Sequence, residues 1–175
     1  MPYFLFEQSL QIGQEYCLEG KEASHLLLSR RIKEGESFEI QDTLGKRFEA
    51  LLLRSSRNQA WFRTHQPILV PLPSPLILQI AQAVPKEKGV DQIIQKSTEL
   101  GVSRIVFFSG RYSSRNHFSL QNTNLLERWK IIAWEACKQS GRQFPPELDF
   151  QKDLQTVVKS ESVSEQWMLA NPTVN

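Results

Sequence analysis

Two hydrophobic patterns divide the chain. Up to about residue 66, apolar residues occur in short runs that alternate with polar ones, as at 38–40, 48–53 and 61–64. Short alternating runs separated by turns are typical of small antiparallel barrels. Residues 1–66 are therefore predicted to form such a barrel, with one or two helical turns beginning near Glu22.

A proline-rich segment follows this region. Four of the nine prolines lie between residues 67 and 75. Proline holds the chain extended and lacks the donor that a central strand needs. The segment 67–75 is therefore predicted to be a linker, and residues 76–175 a second domain.

Strand-like and helix-like patterns alternate beyond the linker, which predicts a parallel sheet covered by helices. Strands are expected at 76–84, 102–108, 148–150 and 166–170, and helices at 88–100, 124–140 and 153–159. Gly101 and Gly141 follow the two longer helices, where glycine often ends a helix. Because no covering helix follows the last strand, the fold is expected to be incomplete at its C-terminus.

Composition narrows the class of protein. No apolar run approaches the roughly eighteen residues of a membrane span, and the N-terminus has no signal-peptide pattern. The two cysteines lie far apart with no metal-ligand spacing near them, so no metal is expected and a reducing compartment is favoured. The expectation is a cytoplasmic protein without a membrane partner.

The charge is unevenly distributed along a chain whose formal net charge is +2. Residues 104–142 contain seven basic and two acidic side chains, whereas residues 147–165 contain five acidic and two basic ones. A local basic surface on a nearly neutral protein favours a polyanionic partner. Solvated helix faces and strand edges would explain the charge equally well.

Polar side chains concentrate where predicted strands end. Lys86 and Lys88 follow the first strand after the linker, and Arg111, Tyr112 and Arg115 follow the next. Ligands of parallel sheets bind at this carboxyl edge, so the basic residues are candidates for phosphate contacts and Tyr112 for base stacking. Ordinary solvated loops are the alternative.

A third polar group belongs to the second long helix. Glu135, Gln139 and Arg142 share one edge of this helix, opposite its apolar face. Arg142 lies just past the helix end, near the partial negative charge there. Taken alone, the group is explained as well by a surface Glu–Lys pair and an arginine that neutralises the helix dipole.

The predicted barrel has its own basic residues. A basic stretch is followed by arginines on later strands: His25, Arg30, Arg31, Lys33, Arg54, Arg57 and Arg63. Phosphate contacts are one expectation for the arginines, and a solubilising surface is the other. His25, which stands beside leucines, is expected to be a packed histidine rather than a catalyst.

Three segments carry a family resemblance. Residues 24–36 have the sequence SHLLLSRRIKEGE, similar to a family segment HHLLxVLRLxxGD. Residues 83–86, AVPK, and 93–102, IIQKSTELGV, are similar to LPK and IIQKxTELGV. Residues 128–146 resemble RWxxIxxEAxxQSGRxxxP. Over about residues 3–150 the chain thus resembles the RsmE family of 16S rRNA uracil-N3 methyltransferases.

The resemblance implies an α+β, two-domain fold class: a PUA-like RNA-binding β-barrel at 1–66, then the first part of a knotted α/β SPOUT methyltransferase domain. It also implies a homodimer that uses S-adenosylmethionine and methylates N3 of one uridine in 16S rRNA of the small ribosomal subunit. Ser24 stands where the family usually has a histidine, and Arg30 where it has an apolar residue. The family's cofactor-holding segments, IGPEGGF and LGxRILRxETA, are absent from residues 1–175, so no cofactor-binding residue is identified and this chain by itself is expected to be inactive.

Methylation of uracil N3 requires loss of its proton and attack on a sulfonium methyl group. An arginine suits the developing uracil anion because it stays protonated and presents a fork of donors. Arg142 is therefore the leading catalytic candidate, with Glu135 and Gln139 orienting it. Glu135 as the general base is the alternative. A second set is expected around the same strand edge: Lys86, Lys96, Glu99 and Arg111.

The predicted RNA-binding residues span both halves of the chain. They are His25, Arg30, Arg31, Lys33, Arg57, Lys86, Lys96, Arg111 and Arg115. A non-catalytic RNA-binding fragment or truncated paralogue remains open as an alternative function. An unrelated nucleotide-binding enzyme is disfavoured, because the sequence lacks any phosphate-loop or GxGxxG motif.

Overall fold

The computed structural model describes residues 3–71, 74–85, 87–110, 113 and 123–160. Its N-terminal half combines five strands with a short helix that continues into a wide π turn at His25–Ser29. These elements are β1 (Phe4–Leu5), β2 (Glu15–Glu19), α1 (Gly20–Ser24), β3 (Ser37–Gln41), β4 (Arg47–Ser56) and β5 (Gln59–Ile68).

The five strands form one sheet in the order β1-β3-β4-β5-β2. Every pair is antiparallel except β1 with β3, which is parallel, so the expectation of a purely antiparallel sheet is wrong for this pair. The long connection through α1 gives the chain room to reverse, which a parallel pair requires. Apolar side chains on one face of the sheet form a core in which Phe6 and Phe38 pack edge to face on Phe62.

β5 continues to Ile68, two residues into the predicted linker. Pro67 pairs with Phe48 of β4. On the other side of β5, its pairing with β2 ends at Arg63, which lies opposite Glu15. Pro67 therefore lies beyond the end of β2, where its missing N–H costs no ladder hydrogen bond.

The second half of the described chain forms a parallel sheet, as predicted, with three strands in the order β6-β7-β8. The fourth predicted strand, 166–170, lies outside the described residues. Its elements are β6 (Gln79–Ala83), α2 (Glu87–Glu99), β7 (Arg104–Phe108), α3 (Thr123–Ser140), β8 (Glu147–Gln151) and α4 (Leu154–Ser160). β6 begins three residues later than predicted, and Leu76 and Ile77 are exposed. Gly101 and Gly141 have φ of +85° and +76° just past α2 and α3, the left-handed conformation that ends helices.

The helices pack on the sheet around a second core that includes Ile94, Phe107 and Trp129. Each helix returns the chain to the edge where the next strand begins: Ser103, after α2, donates from its backbone N–H to Leu78 O, just before β6, at 2.7 Å. The ends of α2 and α3 therefore lie at the amino edge of the sheet. Within the described ranges, no helix is both long and apolar enough to cross a membrane.

Candidate nucleic-acid interface

An open groove of about 980 Å³ runs along the N-terminal half of the molecule. One wall comes from the π turn and the chain that follows it, and the other from the two-residue connection between β4 and β5. The lining residues are Leu27, Leu28, Arg31, Ile32, Lys33, Glu34, Ser55, Ser56, Arg57 and Asn58.

The backbone at Arg31 shapes this groove. The π turn closes with hydrogen bonds from Arg30 N to His25 O and from Ile32 N to Leu26 O. Arg31 then has φ of 56°, and it is the one non-glycine residue of the described chain with positive φ. A bulky residue rarely adopts this conformation, and such outliers cluster at functional sites.

The groove has an excess of positive charge. Arg31, Lys33 and Arg57 are exposed along it. The acidic residue of the lining, Glu34, accepts hydrogen bonds from Ser55 N at 2.9 Å and Ser55 Oγ at 3.3 Å. Because this carboxylate is bound to the opposite wall, the three exposed cations leave the groove with a net positive charge, which suits contacts to backbone phosphates.

Other predicted RNA-binding residues lie elsewhere. The ring of His25 packs edge to face against Phe4 at 5.4 Å, as expected for a packed histidine. Arg30 is exposed but does not line the groove. Lys96 lies on α2 and pairs with Glu99 at 2.8 Å. Lys86, Arg111 and Arg115 lie outside the described residues.

Two arginines of the outer sheet face have partners within the N-terminal half. The guanidinium of Arg54 lies over the ring of Trp61, 4.6 Å from its centroid. Arg63 forms an ion pair with Glu15. Of the basic residues predicted in this half, the structure therefore brings Arg31, Lys33 and Arg57 together at one site.

A second polar cluster joins the two sheets. We call residues 138–144, with the N-terminal residues that they contact, the junction. Lys138 is only 3% exposed, and its Nζ donates to Glu22 Oε1 at 2.7 Å and Glu135 Oε1 at 2.6 Å. Burial disfavours the ammonium, but the hydrogen bonds to Glu135 and Glu22 outweigh it, so the pKa of Lys138 is raised.

The loop after α3 supplies backbone carbonyls to the junction. Arg142 O accepts from Tyr3 Oη at 2.6 Å, and Gly141 O accepts from Arg47 Nη2 at 3.1 Å. The Arg47 guanidinium also lies over the Tyr3 ring, 4.0 Å from its centroid. Burial raises the pKa of Tyr3 well above its ordinary value, so this hydroxyl stays a donor.

The turn between β3 and β4 completes the junction. Gln143 O accepts from Gln41 Nε2, and Gln143 Nε2 donates to Gly45 O, both at 2.8 Å. Gly45 has φ of +77°, and a Cβ there would lie 2.5 Å from Cζ of Phe144. Glycine is therefore required both by the backbone and by the close approach of Phe144.

Arg142 binds backbone rather than open space. Its Nη1 donates to Val102 O at 2.6 Å and Thr98 O at 3.2 Å. Thr98 lies in the last turn of α2, where its carbonyl also accepts from Gly101 N at 3.1 Å, and Val102 lies between α2 and β7. Burial lowers the pKa of the guanidinium. Arg142 therefore lies at the amino edge of the sheet, where it links the end of α3 to the end of α2.

The partners of Arg142 in the predicted catalytic group are more exposed. Glu135 is 52% exposed and bound to Lys138, and Gln139 is exposed. The expectation that Lys96, Glu99 and Arg142 share an edge with the loops after β6 and β7 is wrong, because those loops leave the opposite, carboxyl edge. The catalytic role of the group stays a prediction.

Sequence reasoning did not single out the N-terminal members of the junction or Lys138. One signal was present: Lys138 directly follows Ala136 and Cys137 of the apolar stripe, and a lysine at the border of a buried face needs a partner. The identity of that partner could not be read from α3 itself. Within the described ranges, no cluster of three or more His, Cys, Asp or Glu side chains could hold a metal.

Comparisons with known proteins agree with the fold. A family model described as an RNA methyltransferase domain matches residues 72–173. Ribosomal RNA small subunit methyltransferase E of Buchnera aphidicola subsp. Acyrthosiphon pisum is 29% identical over 150 residues, which cover 85% of this chain and 58% of the relative. The chain spans about half the length of the curated relatives that it matches.

Solved structures extend the likeness. Ribosomal RNA small subunit methyltransferase E from Neisseria gonorrhoeae, bound to S-adenosyl methionine, is 28% identical with a TM-score of 0.78, covering 93% of this chain and 67% of that one. A Legionella pneumophila protein assigned as a methyltransferase, in complex with SAM, is 25% identical with a TM-score of 0.84, covering 99% and 71%. The chain belongs to the RsmE family of RNA methyltransferases.

Proposed function

We propose that this chain takes part in methyl transfer to N3 of a uridine in 16S rRNA of the small ribosomal subunit, and that its groove holds the RNA. The observation that carries the proposal is the convergence of Arg31, Lys33 and Arg57 on one groove in a member of this family. Cations that project along a groove recognise the phosphate backbone of any RNA, and the similarity to small-subunit methyltransferases narrows that RNA to rRNA.

The proposed organisation follows the sequence expectation. Residues 1–66 would form a PUA-like RNA-binding barrel, and residues 76–175 part of a knotted SPOUT domain, in a cytoplasmic homodimer. Two sheets with separate hydrophobic cores support the division. The hydrogen bonds of the junction support a fixed orientation of the first sheet relative to the second.

S-adenosylmethionine is the proposed methyl donor, because two solved relatives hold it. At the carboxyl edge, Ser113 Oγ donates to Val84 O at 2.8 Å and accepts from Gly110 N at 3.0 Å. A Cβ on Gly110 would lie 2.9 Å from that of Ala83. These described groups bond to one another, so we assign none of them to the cofactor and derive no step through it.

The roles of Arg142, Glu135 and Gln139 in stabilising the uracil anion belong to the proposal as well. Lys86, Arg111 and Arg115 are also proposed as RNA contacts, because in the sequence these basic residues follow strands of the parallel sheet, where ligands bind. For Arg142, the target base would have to approach the amino edge of the sheet, and one guanidinium nitrogen already binds two carbonyls there.

The test compares RNA binding and methyl transfer in two charge-matched variants. The groove variant is Arg31→Gly/Lys33→Ala/Arg57→Ala, and the control variant, Lys21→Ala/Lys46→Ala/Arg63→Ala, removes as much charge away from the groove. Binding to 16S rRNA is measured across a salt series. Methyl transfer is measured in the complete enzyme, with methyl-labelled S-adenosylmethionine on small-subunit particles. We expect the groove variant to reduce the slope of log K against log salt by about 2 to 3, since each lost phosphate contact contributes about 0.7–0.9.

The outcomes separate the possible functions. Equal losses in the two variants would mean that charge alone, not the groove, attracts RNA. Groove-dependent binding with no label at uridine N3 would favour the non-catalytic RNA-binding alternative. Label at N3 that depends on the groove would support the proposal in full.

A further inference from the structure

The groove is lined by more than cations. Leu27 and Ile32 are partly buried against the N-terminal core, so they form a fixed apolar floor. Leu28 lies beside them and is 70% exposed. A single exposed leucine is common, but this one lines the same basic groove as Leu27 and Ile32.

Phosphates alone do not explain that floor. Backbone phosphates are solvated anions that gain nothing from leucine and isoleucine side chains. In an A-form duplex the bases are stacked and paired, and proteins contact such a helix mainly through its phosphates and 2′-hydroxyls. A duplex would therefore contact the basic rim of the groove, formed by Arg31, Lys33 and Arg57, and leave the floor exposed to water.

A single strand offers both chemistries at once. Its unstacked bases have apolar faces that pack on protein side chains, while its phosphates remain available to cations a short distance away. Asn58, in the connection between β4 and β5, adds an amide with both donor and acceptor groups at the rim. Such a group can pair with the edge of an unpaired base.

Backbone hydrogen bonds fix the segment that carries Arg31 and Lys33. Arg31 lies between Leu28 and Ile32 in the chain, and it has positive φ where the chain passes from the π turn to Ile32 and Lys33, which both line the groove. The segment is then fixed to β4 by hydrogen bonds from Gly35 N to Leu52 O and from Leu52 N to Glu36 O, at 2.8 and 3.0 Å. A preformed rim binds without the cost of ordering a loop.

Resting on the proposed function, we propose that the groove binds single-stranded RNA, with an unpaired base on the floor of Leu27, Leu28 and Ile32 and its phosphates on Arg31 and Arg57. The target rRNA segment is accordingly one whose bases are unpaired when the protein engages it. The selectivity for single strands comes from the floor, and the salt dependence comes from the rim.

Leu28→Ser tests the floor without disturbing the core, because this side chain is mostly exposed. Leu69→Ser, at a leucine that is 98% exposed and outside the groove, is the matched control. The probes are a short single-stranded oligoribonucleotide and the same strand annealed to its complement. We expect Leu28→Ser to weaken single-strand binding about tenfold, the order of the apolar burial lost with one partly covered leucine, with the salt slope unchanged. Duplex binding, and both affinities of Leu69→Ser, should match the wild type.

Arg31→Gly gives the complementary result. Glycine accepts the positive φ, so the turn is kept while the charge is lost. Single-strand and duplex binding should then weaken together, and the salt slope should fall by about 1. If single strand and duplex bind equally and Leu28→Ser changes neither, the inference is overturned while phosphate binding by the groove stands. If neither RNA binds the wild type, the inference and the proposed function fail together.

Discussion

The groove and the junction use the same kinds of side chain in opposite surroundings. In the groove, Arg31, Lys33 and Arg57 are exposed to solvent. In the junction, Lys138 and Arg47 are 3% and 7% exposed and bound to protein acceptors. An exposed cation keeps its hydration and is available to a ligand, whereas a buried one must be compensated by its neighbours.

The cations of the groove are therefore expected to affect RNA affinity, and those of the junction to affect the stability of the fold. Changes in the groove should alter affinity and leave stability nearly untouched, since exposed positions contribute little. Changes in the junction should lower stability and disturb how the two sheets are held together. The following variants test that separation, from the largest expected loss of stability to the smallest.

Lys138→Met should cost most. The variant keeps an unbranched apolar chain but leaves Glu22 and Glu135 facing each other without the ammonium between them. Breaking a buried pair costs about 3–5 kcal/mol, and we expect the lower end, about 3 kcal/mol, because both carboxylates retain contact with water. The free energy of unfolding from urea denaturation measures it.

Lys130→Met on the same helix is the control, since the pair of Lys130 with Glu127 is exposed. It should change stability by less than about 0.5 kcal/mol. The raised pKa of Lys138 adds a pH signature: its stabilisation is complete below the ordinary lysine pKa of about 10.4 and is lost as pH rises through the higher folded value. The gap between wild type and Lys138→Met should therefore narrow only in strong alkali. Equal effects of the two variants would contradict a structural role for Lys138.

Arg142→Ala should come next. It removes the hydrogen bonds to Thr98 O and Val102 O, and bonds from a charged donor contribute about 1.5–3 kcal/mol. Thermal unfolding measures the loss, and Arg142→Lys should recover part of it. A catalytic role predicts in addition that, in the complete enzyme, Arg142→Lys slows single-turnover methylation by roughly 10²–10³. Full turnover per folded molecule in both variants would end that assignment.

Gly45→Ala should cost less, roughly 1–2 kcal/mol, from the left-handed backbone with an added contribution from the displacement of Phe144. Gly13→Ala measures the backbone contribution alone, because Gly13 has nearly the same φ, +78°, and nothing within 4 Å of its added Cβ. The junction contact is the difference between the two in urea denaturation. Indistinguishable losses would show that Phe144 moves aside freely.

Arg57→Ala and Arg31→Gly should change stability least, within about 0.5 kcal/mol. For Arg31→Gly, relief of the positive φ offsets the greater freedom of glycine in the unfolded chain. Urea denaturation measures both. A loss above about 1 kcal/mol in either variant would mean that the groove cations hold the fold together, which would remove the contrast with the junction.

Local spacing predicted the regular elements well. The helices expected at 88–100 and 124–140 are Glu87–Glu99 and Thr123–Ser140 in the structure, since a 3.6-residue period and a terminal glycine are legible within one segment. The parallel pairing of β1 with β3 was not predictable in this way. Strand direction depends on where a long connection returns, which no alternation pattern records.

The sequence by itself determined the family, the alternation of strands with helices, and the basic stretch around Arg31. Only the tertiary structure decided which cations serve which purpose. Lys138 binds Glu22, which is 116 residues away in the chain. Arg31 and Arg57 line one groove that is formed by two separate segments. The environment of a charge depends on neighbours brought together by folding, whereas a sequence pattern reports only the residue type and its local period.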